Sequence, residues 1–228
     1  MSFILNGANW SLSQQNNIPS LILAQLGLAL VSVAIGLAIA FPLALLVSTA
    51  RPSYHPVLNP AKYYGPLIGF ADIVYTIPSL AFMAFLVPIT GLTPLTIIIP
   101  LVAYTQLVLI RNIVAARHAV DPTLLDVGRA MGMSWIQLQR YVVLPLSLPL
   151  IIAGLRVVTV TSIGIATLSY LIGVEDIGTL IAQGINFAYN DEILAGVIIV
   201  SAVAITADLL LLGVQSLLSR GRELTPVT

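Results

Sequence analysis

The sequence predicts an all-α integral membrane fold of five spans, on three observations. Of 228 residues, 58% are hydrophobic and only 8% are charged, against about 25% charged in ordinary soluble domains. Five stretches are long and apolar enough to cross a hydrocarbon core, which takes about 20 helical residues for roughly 30 Å. The basic residues then sort to a single side of those stretches, as a cytoplasmic face requires.

The spans are expected at about residues 20–49, 66–88, 94–116, 146–171 and 192–219. Pro78 interrupts the second and Pro100 lies near the start of the third, which membrane helices tolerate where neighbours satisfy the freed carbonyls. Residues 1–19 read as a polar leader outside the membrane, with no Lys or Arg to open a cleavable signal peptide and with Trp10 as an interfacial aromatic. Residues 220–228 read as a short tail. Residues 173–190 are long for a hairpin, and the run from Ile177 suits a short helix dipping back from outside, a sixth, re-entrant element.

Five spans put the termini on opposite faces. With the C-terminus inside, Arg51, Lys62, Arg111, Arg117, Arg129, Arg140, Arg220 and Arg222 lie at the cytoplasmic face, and of the nine Lys and Arg only Arg156 falls inside a span. The outer loops then hold only acids: Glu175, Asp176, Asp191 and Glu192. The expected topology is multi-pass in the cell membrane, surrounded by lipid, N-terminus outside and C-terminus cytoplasmic.

The cytoplasmic island at about residues 121–140 is the most legible polar feature. Asp121 caps a helix with Pro122 at its first position, where a missing N–H costs nothing. Gly132 suits a left-handed stop. Ser134 and Gln137 form an S-x-x-Q capping box that opens a second helix at Trp135. A helix–glycine–helix knob outside the bilayer is built to dock.

Composition also excludes functions. A net charge of zero argues against a nucleic-acid partner, and the absence of cysteine excludes disulfides, thiolate metal sites and cysteine catalysis. His55 and His118 both lie near the cytoplasmic face without metal-ligand spacing, so neither a metal site nor a membrane enzyme is expected. No G-x-x-x-x-G-K-[ST] phosphate loop is present. A secondary carrier, with repeated halves around midplane ion sites, fits five spans with no visible repeat poorly.

Within the membrane, a charge at the bilayer centre costs about 2.5–3.5 kcal/mol on insertion scales, so each needs a partner or water. Arg156 lies about ten residues into the fourth span and Asp208 about twelve residues before Arg220. At about 1.5 Å per residue these depths nearly coincide, which predicts an Arg156–Asp208 ion pair. Asp72, one or two turns inside the second span, is expected near the surface, within reach of water.

The island resembles the cytoplasmic loop of permease subunits of binding-protein-dependent ABC importers, whose signature is E-A-A, three residues, G, about nine residues, and a hydrophobic-Leu-Pro. Here Asp126, Val127 and Gly128 stand at the E-A-A positions, followed by Arg129 and Ala130. Gly132 stands at the glycine, then Met133 and Ser134, and Leu144-Pro145 closes the pattern. Asp replaces Glu, and Val-Gly replaces Ala-Ala. Tyr75-Thr-Ile-Pro-Ser-Leu-Ala, Val120-Asp-Pro-Thr-Leu, Ala153-Gly-Leu-Arg, Ile163-Gly-Ile-Ala-Thr-Leu and Leu171-Ile-Gly-Val-Glu-Asp-Ile-Gly are similar to the osmoprotectant branch, which imports glycine betaine, carnitine, choline and related trimethylammonium compounds.

That resemblance implies a type I ABC importer permease fold whose loop couples to a cytoplasmic ATPase. It implies an extracellular or periplasmic binding protein and a second permease chain, identical or paralogous. ATP and Mg belong to the ATPase, and this chain holds no cofactor. Branches carrying methionine or ergothioneine share the loop. The residues expected along the translocation path are Tyr75, Ser79, Phe82, Thr159, Ser162 and Thr167, the aromatics because their faces attract quaternary ammonium groups and the small residues because they let helices approach.

Overall fold

The computed structural model describes residues 2–10, 17–48 and 61–219. Arg51, His55, Arg220 and Arg222, the tail 220–228, the rest of the leader and the side chain of Lys62 lie outside the described residues. Every regular element among the described residues is helical.

A short helix α1 (Ser2–Leu5) and a 3₁₀ turn (Gly7–Trp10) precede α2 (Ile18–Val47). The Asn17 side chain accepts a 2.8 Å bond from the Ser20 N–H and caps α2. The buried face of α2 is its polar one. It carries Gln25, Ser32 and Gly36 among Leu21, Leu28, Ala40 and Ala44, while Leu23, Leu30, Val31, Ile35 and Ile39 point outward. Lipid is as apolar as leucine, so helices in a membrane bundle associate through small residues and interhelical hydrogen bonds.

Those contacts are explicit. Gln25 Nε2 donates to the Ile163 carbonyl at 2.5 Å. Gln106 Nε2 donates to the Gly36 carbonyl at 3.1 Å. At Gly36 a Cβ would collide with Thr105 Oγ1, so side chains of α5 (Leu95–His118) pack directly on the backbone of α2. Residues from α2, α5, α8 (Leu144–Ala166) and α3 (Ala61–Thr76) form the largest core cluster, around Ile110, Ile113 and Val158.

The expected second span is not one helix. α3 ends at Thr76, α4 (Ser79–Thr90) begins at Ser79, and the two arms bend by 90°. Pro78 supplies no N–H and disfavours the α conformation of the residue before it, so the ladder stops at Ile77. The carbonyls it frees are satisfied locally. Thr76 Oγ1 donates to the Ile73 carbonyl at 2.7 Å, and Tyr104 Oη donates to the Ile77 carbonyl at 2.8 Å.

The polar island forms α6 (Pro122–Ala130) and α7 (Trp135–Leu138). Here a second difference appears. The helix opened by Ser134 does not stop but passes through a π-helical turn (Gln139–Val143) directly into α8. In that turn the Leu144 N–H reaches back five residues to the Gln139 carbonyl. Pro145 follows with no N–H, and a one-residue slip in the ladder just before it accommodates the loss.

After α8, a 3₁₀ turn (Thr167–Ile172) and Gly173 at φ +75° reverse the chain into α9 (Ile177–Asn186). The segment expected as a short returning helix therefore is helical, and it folds back along α10 (Asn190–Ser219). A Cβ at Gly196 would sit 2.5 Å from Ile181 Cγ1, and one at Gly184 would sit 2.6 Å from Ile193 Cγ1. Long, apolar helices number four among the described residues, or five when the bent α3–α4 pair is one span.

Gly36 and Gly27 test this packing as a pair. Gly36→Val drives a branched side chain into Thr105, and overpacking of this kind costs about 1–3 kcal/mol. Gly27→Ala meets nothing within 4 Å and gains up to about 1 kcal/mol of helix propensity. In detergent, thermal unfolding is expected at lower temperature for Gly36→Val, and at equal or higher temperature for Gly27→Ala.

Candidate functional site

The island is a small folded knob with its own core. Val120, Leu125, Leu138 and Val143 are buried together, with Met133, Val142 and Leu146 against them. Asp121 Oδ1 accepts from the Thr123 N–H at 2.8 Å, and that bond holds the Asp121 carboxyl below the usual carboxylate range. The Arg129 guanidinium reaches Asp126 at 3.1 Å, one turn away on α6.

Between the two helices the backbone makes the turn that only a few residues allow. Gly132 has φ +80° and donates to the Arg129 carbonyl at 2.9 Å, while the Met133 N–H closes on the Gly128 carbonyl at 3.1 Å. Gly128 is the contact between the helices, because a Cβ there would lie 2.7 Å from Leu138 Cδ1. Ser134 and Gln137 complete the capping box, with bonds of 2.8 and 3.3 Å.

With that core closed, the knob turns apolar side chains outward. Leu124, Val127, Met131, Trp135 and Ile136 are exposed, Ile136 at 70% and Met131 at 73%. Exposed apolar side chains gathered on a polar-rimmed knob are characteristic of surfaces that meet a protein, a membrane or a ligand. Of the expected coupling residues, Asp126, Val127, Arg129, Ala130, Gly132 and Ser134 lie on the exposed side, Met133 is half-buried, and Gly128 lies beneath.

Two links tie the knob to the spans. One is the unbroken helical run from α7 into α8. The other is Arg117, buried in the last turn of α5, which donates to Gln139 Oε1 at 2.7 Å. A cation at that position also faces the negative end of the α5 dipole. Sequence reasoning counted Arg117 only as a topogenic charge.

Inside the bundle, Arg156 and Asp208 come together. Nε and Nη2 of Arg156 each donate to an Asp208 oxygen at 2.8 Å, and Nη1 donates to Gln215 Oε1 at 3.1 Å. This fork joins α8 to α10, a helix that otherwise buries little of its length: Ala195, Gly196 and Ile199.

A second ion pair was not foreseen. Arg111 Nη2 lies 2.7 Å from both Asp72 oxygens, with the two side chains 48% and 45% exposed. Arg111 reads in the sequence as a charge at the cytoplasmic face, yet it lies two turns inside α5. The missed signal was an acid and a base each about one or two turns inside adjacent spans.

At the α3–α4 break an aromatic cluster forms. Tyr104 meets Tyr75 at 5.9 Å and Phe82 at 6.0 Å, both edge-to-face. Tyr75 is 44% exposed and Phe82 and Ser79 are half-buried, whereas Tyr104 is buried behind them. Thr159 and Ser162 do not share this face: they are buried among the chain's own helices. Thr159 Oγ1 and Thr167 Oγ1 turn back to the Leu155 and Gly164 carbonyls of their own chain segment.

At the other end, Asp176 caps α9 by accepting from the Gly178 N–H at 2.8 Å. Its other oxygen is buried without a hydrogen-bond partner, and burial pushes the carboxyl up to about 6. Among the described residues no cluster of three metal-ligating side chains occurs.

The chain belongs to the binding-protein-dependent transport system inner membrane component family, whose family model matches residues 57–223. It is therefore a multi-pass membrane component of a transport system, with the type I ABC importer permease fold. It is 34% identical over 184 residues to the glycine betaine/carnitine/choline transport system permease protein OpuCB of Bacillus subtilis, covering 81% of this chain and 80% of that protein. It is 33% identical over 199 residues to the choline transport system permease protein OpuBB of the same organism, covering 87% and 84%. Among solved structures, the MetNI methionine ABC transporter in an inward-facing conformation matches with a TM-score of 0.69 at 22% identity, over 85% of this chain and 94% of that one. That likeness concerns the fold alone.

Gly132→Val places a branched residue at positive φ, a strain of about 1–3 kcal/mol. Limited proteolysis of the detergent-solubilised chain is expected to cut within 128–134 faster in this variant than in the wild type. Gly132→Asn, which tolerates the left-handed region, is expected to keep the wild-type pattern.

Proposed function

We propose that this chain is the membrane-spanning subunit of an ATP-driven importer for small quaternary ammonium osmoprotectants such as glycine betaine, carnitine or choline. The observation that carries this reading is the similarity to osmoprotectant permeases over four-fifths of the chain. An extracellular or periplasmic binding protein delivers the solute, and a second permease chain, identical or paralogous, completes the path. A cytoplasmic ATPase binds ATP and Mg and receives the knob of Asp126, Val127, Gly128, Arg129, Ala130, Gly132, Met133 and Ser134.

The mechanism follows from the connections of the knob. Its exposed apolar side is the docking surface, its core keeps it rigid, and the α7–α8 run carries any displacement into a span. Arg117 on Gln139 transfers the same displacement to α5. Closure of the ATPases thus tilts α5 and α8 together, and the two permease halves alternate between inward and outward states. The Arg156–Asp208 pair keeps α10 with α8 during that motion. The N-terminus lies outside and the C-terminus in the cytoplasm, by the one-sided distribution of Lys and Arg.

The path follows the face of the α3–α4 break. Irregular backbone and half-exposed charges at membrane depth are stable against water or protein, not against lipid. Thr76, Ile77 and Pro78 are exposed in this chain, as are Tyr75 and the Asp72–Arg111 pair.

In proteoliposomes holding the permease, its ATPase and its binding protein, labelled glycine betaine is expected to accumulate only when ATP is present on the ATPase side. Accumulation without ATP removes the ATP-driven reading. ATP hydrolysis stimulated by the binding protein, with no uptake of betaine, carnitine or choline, removes the solute class and leaves the machine.

A further inference from the structure

We propose that the elbow of the broken span is a weak resting site for a zwitterionic quaternary ammonium solute, with Tyr75 and Phe82 holding the ammonium end and Arg111 the carboxylate end. The proposal rests on the osmoprotectant reading above and assigns it a place and a charge preference within this chain.

Asp72 precedes Tyr75 by three residues on α3, which puts them on one face about 4.5 Å apart along the axis. Tyr104 and Arg111 are seven residues apart on α5, also one face and two turns apart. The Arg111 guanidinium reaches back across to Asp72 at 2.7 Å, so it stands about one turn from the Tyr75 ring. Along one surface the order is therefore aromatic, carboxylate, guanidinium.

Each part suits one end of the solute. A quaternary ammonium group donates no hydrogen bond and is stabilised chiefly by aromatic faces and nearby negative charge. Tyr75 offers an exposed ring, Phe82 a half-buried one, and Tyr104 meets both edge-to-face. Tyr104 is itself locked by its bond to the Ile77 carbonyl. The solute's carboxylate needs a fork of donors. Arg111 donates through Nη2 to Asp72 and keeps further N–H groups in an environment about half open. Asp72 holds the guanidinium in place and offsets its repulsion of the ammonium end. A betaine carries its ammonium and carboxylate a few ångströms apart, one for each end of this row. Choline has no carboxylate and would use only the aromatic and acidic part.

The chain contains no cysteine, so Ser79→Cys gives a single reporter beside the break. In the permease–ATPase complex in nanodiscs, without binding protein, the labelling rate by a hydrophilic maleimide is measured against added glycine betaine, choline, or glycine as control. Expected are labelling of the reporter, saturable slowing by glycine betaine and choline, and none by glycine. Adding Tyr75→Leu should weaken protection by both solutes about tenfold. Adding Arg111→Gln should weaken protection by betaine about tenfold while choline keeps or improves its own, because Asp72 is then unpaired. That opposite response separates recognition from a structural role.

Labelling that neither quaternary ammonium slows overturns the resting site and leaves the path along this face intact. A reporter that never labels places the break against lipid or protein and overturns both. Equal loss of betaine and choline protection in Arg111→Gln overturns the zwitterion assignment.

Discussion

Hydrocarbon accepts and donates no hydrogen bonds, and this constraint organises the chain. Polar side chains in the spans reach a neighbouring helix, as Gln25 does to the Ile163 carbonyl, Gln106 to the Gly36 carbonyl and Arg156 to Asp208, or turn back to their own helix, as exposed Thr161 and Thr206 do. The same constraint gives meaning to the exceptions. A 90° break with exposed backbone and an ion pair nearly half open to the outside have no stable place against lipid. They define the face that must meet water or another protein.

The knob obeys a different solvent. Its ends are capped, its turn is left-handed at Gly132, and its small core excludes water beneath Gly128. Leu124, Val127, Met131, Trp135 and Ile136 nevertheless stay exposed on it. Rigid attachment matters as much as the patch. The knob has no flexible hinge to α8, only a π-helical turn, and a buried arginine joins it to α5. A push on Ile136 or Val127 is therefore a push on two spans.

Much of this was legible in the sequence because it is local. Caps, the glycine stop and the capping box are decided by residues three or four apart, and the structure has all of them. The meeting of Arg156 and Asp208 was legible too, since depth along a helix is simple counting. What was not legible depends on rotation and angle. Pro78 announces an interruption, but neither the 90° angle nor the reach of Tyr104 from a different helix to the Ile77 carbonyl is encoded locally. Counting Arg111 as a cytoplasmic charge concealed its pairing with Asp72. Thr159 and Ser162 are small residues that suit either packing or a path, and the rotation of α8 buries them. The second island helix runs on into α8 because nothing in the sequence around Gln139 stops it.

The central claim is that the knob is the point at which an external ATPase grips this membrane subunit. An Ile136→Cys variant carrying an environment-sensitive fluorophore reports on it directly, since the chain has no other cysteine. Addition of the partner ATPase to the reconstituted permease should shift the emission to the blue and shield the dye from an aqueous quencher. Unchanged emission and quenching, in a complex shown to have assembled, would contradict the account.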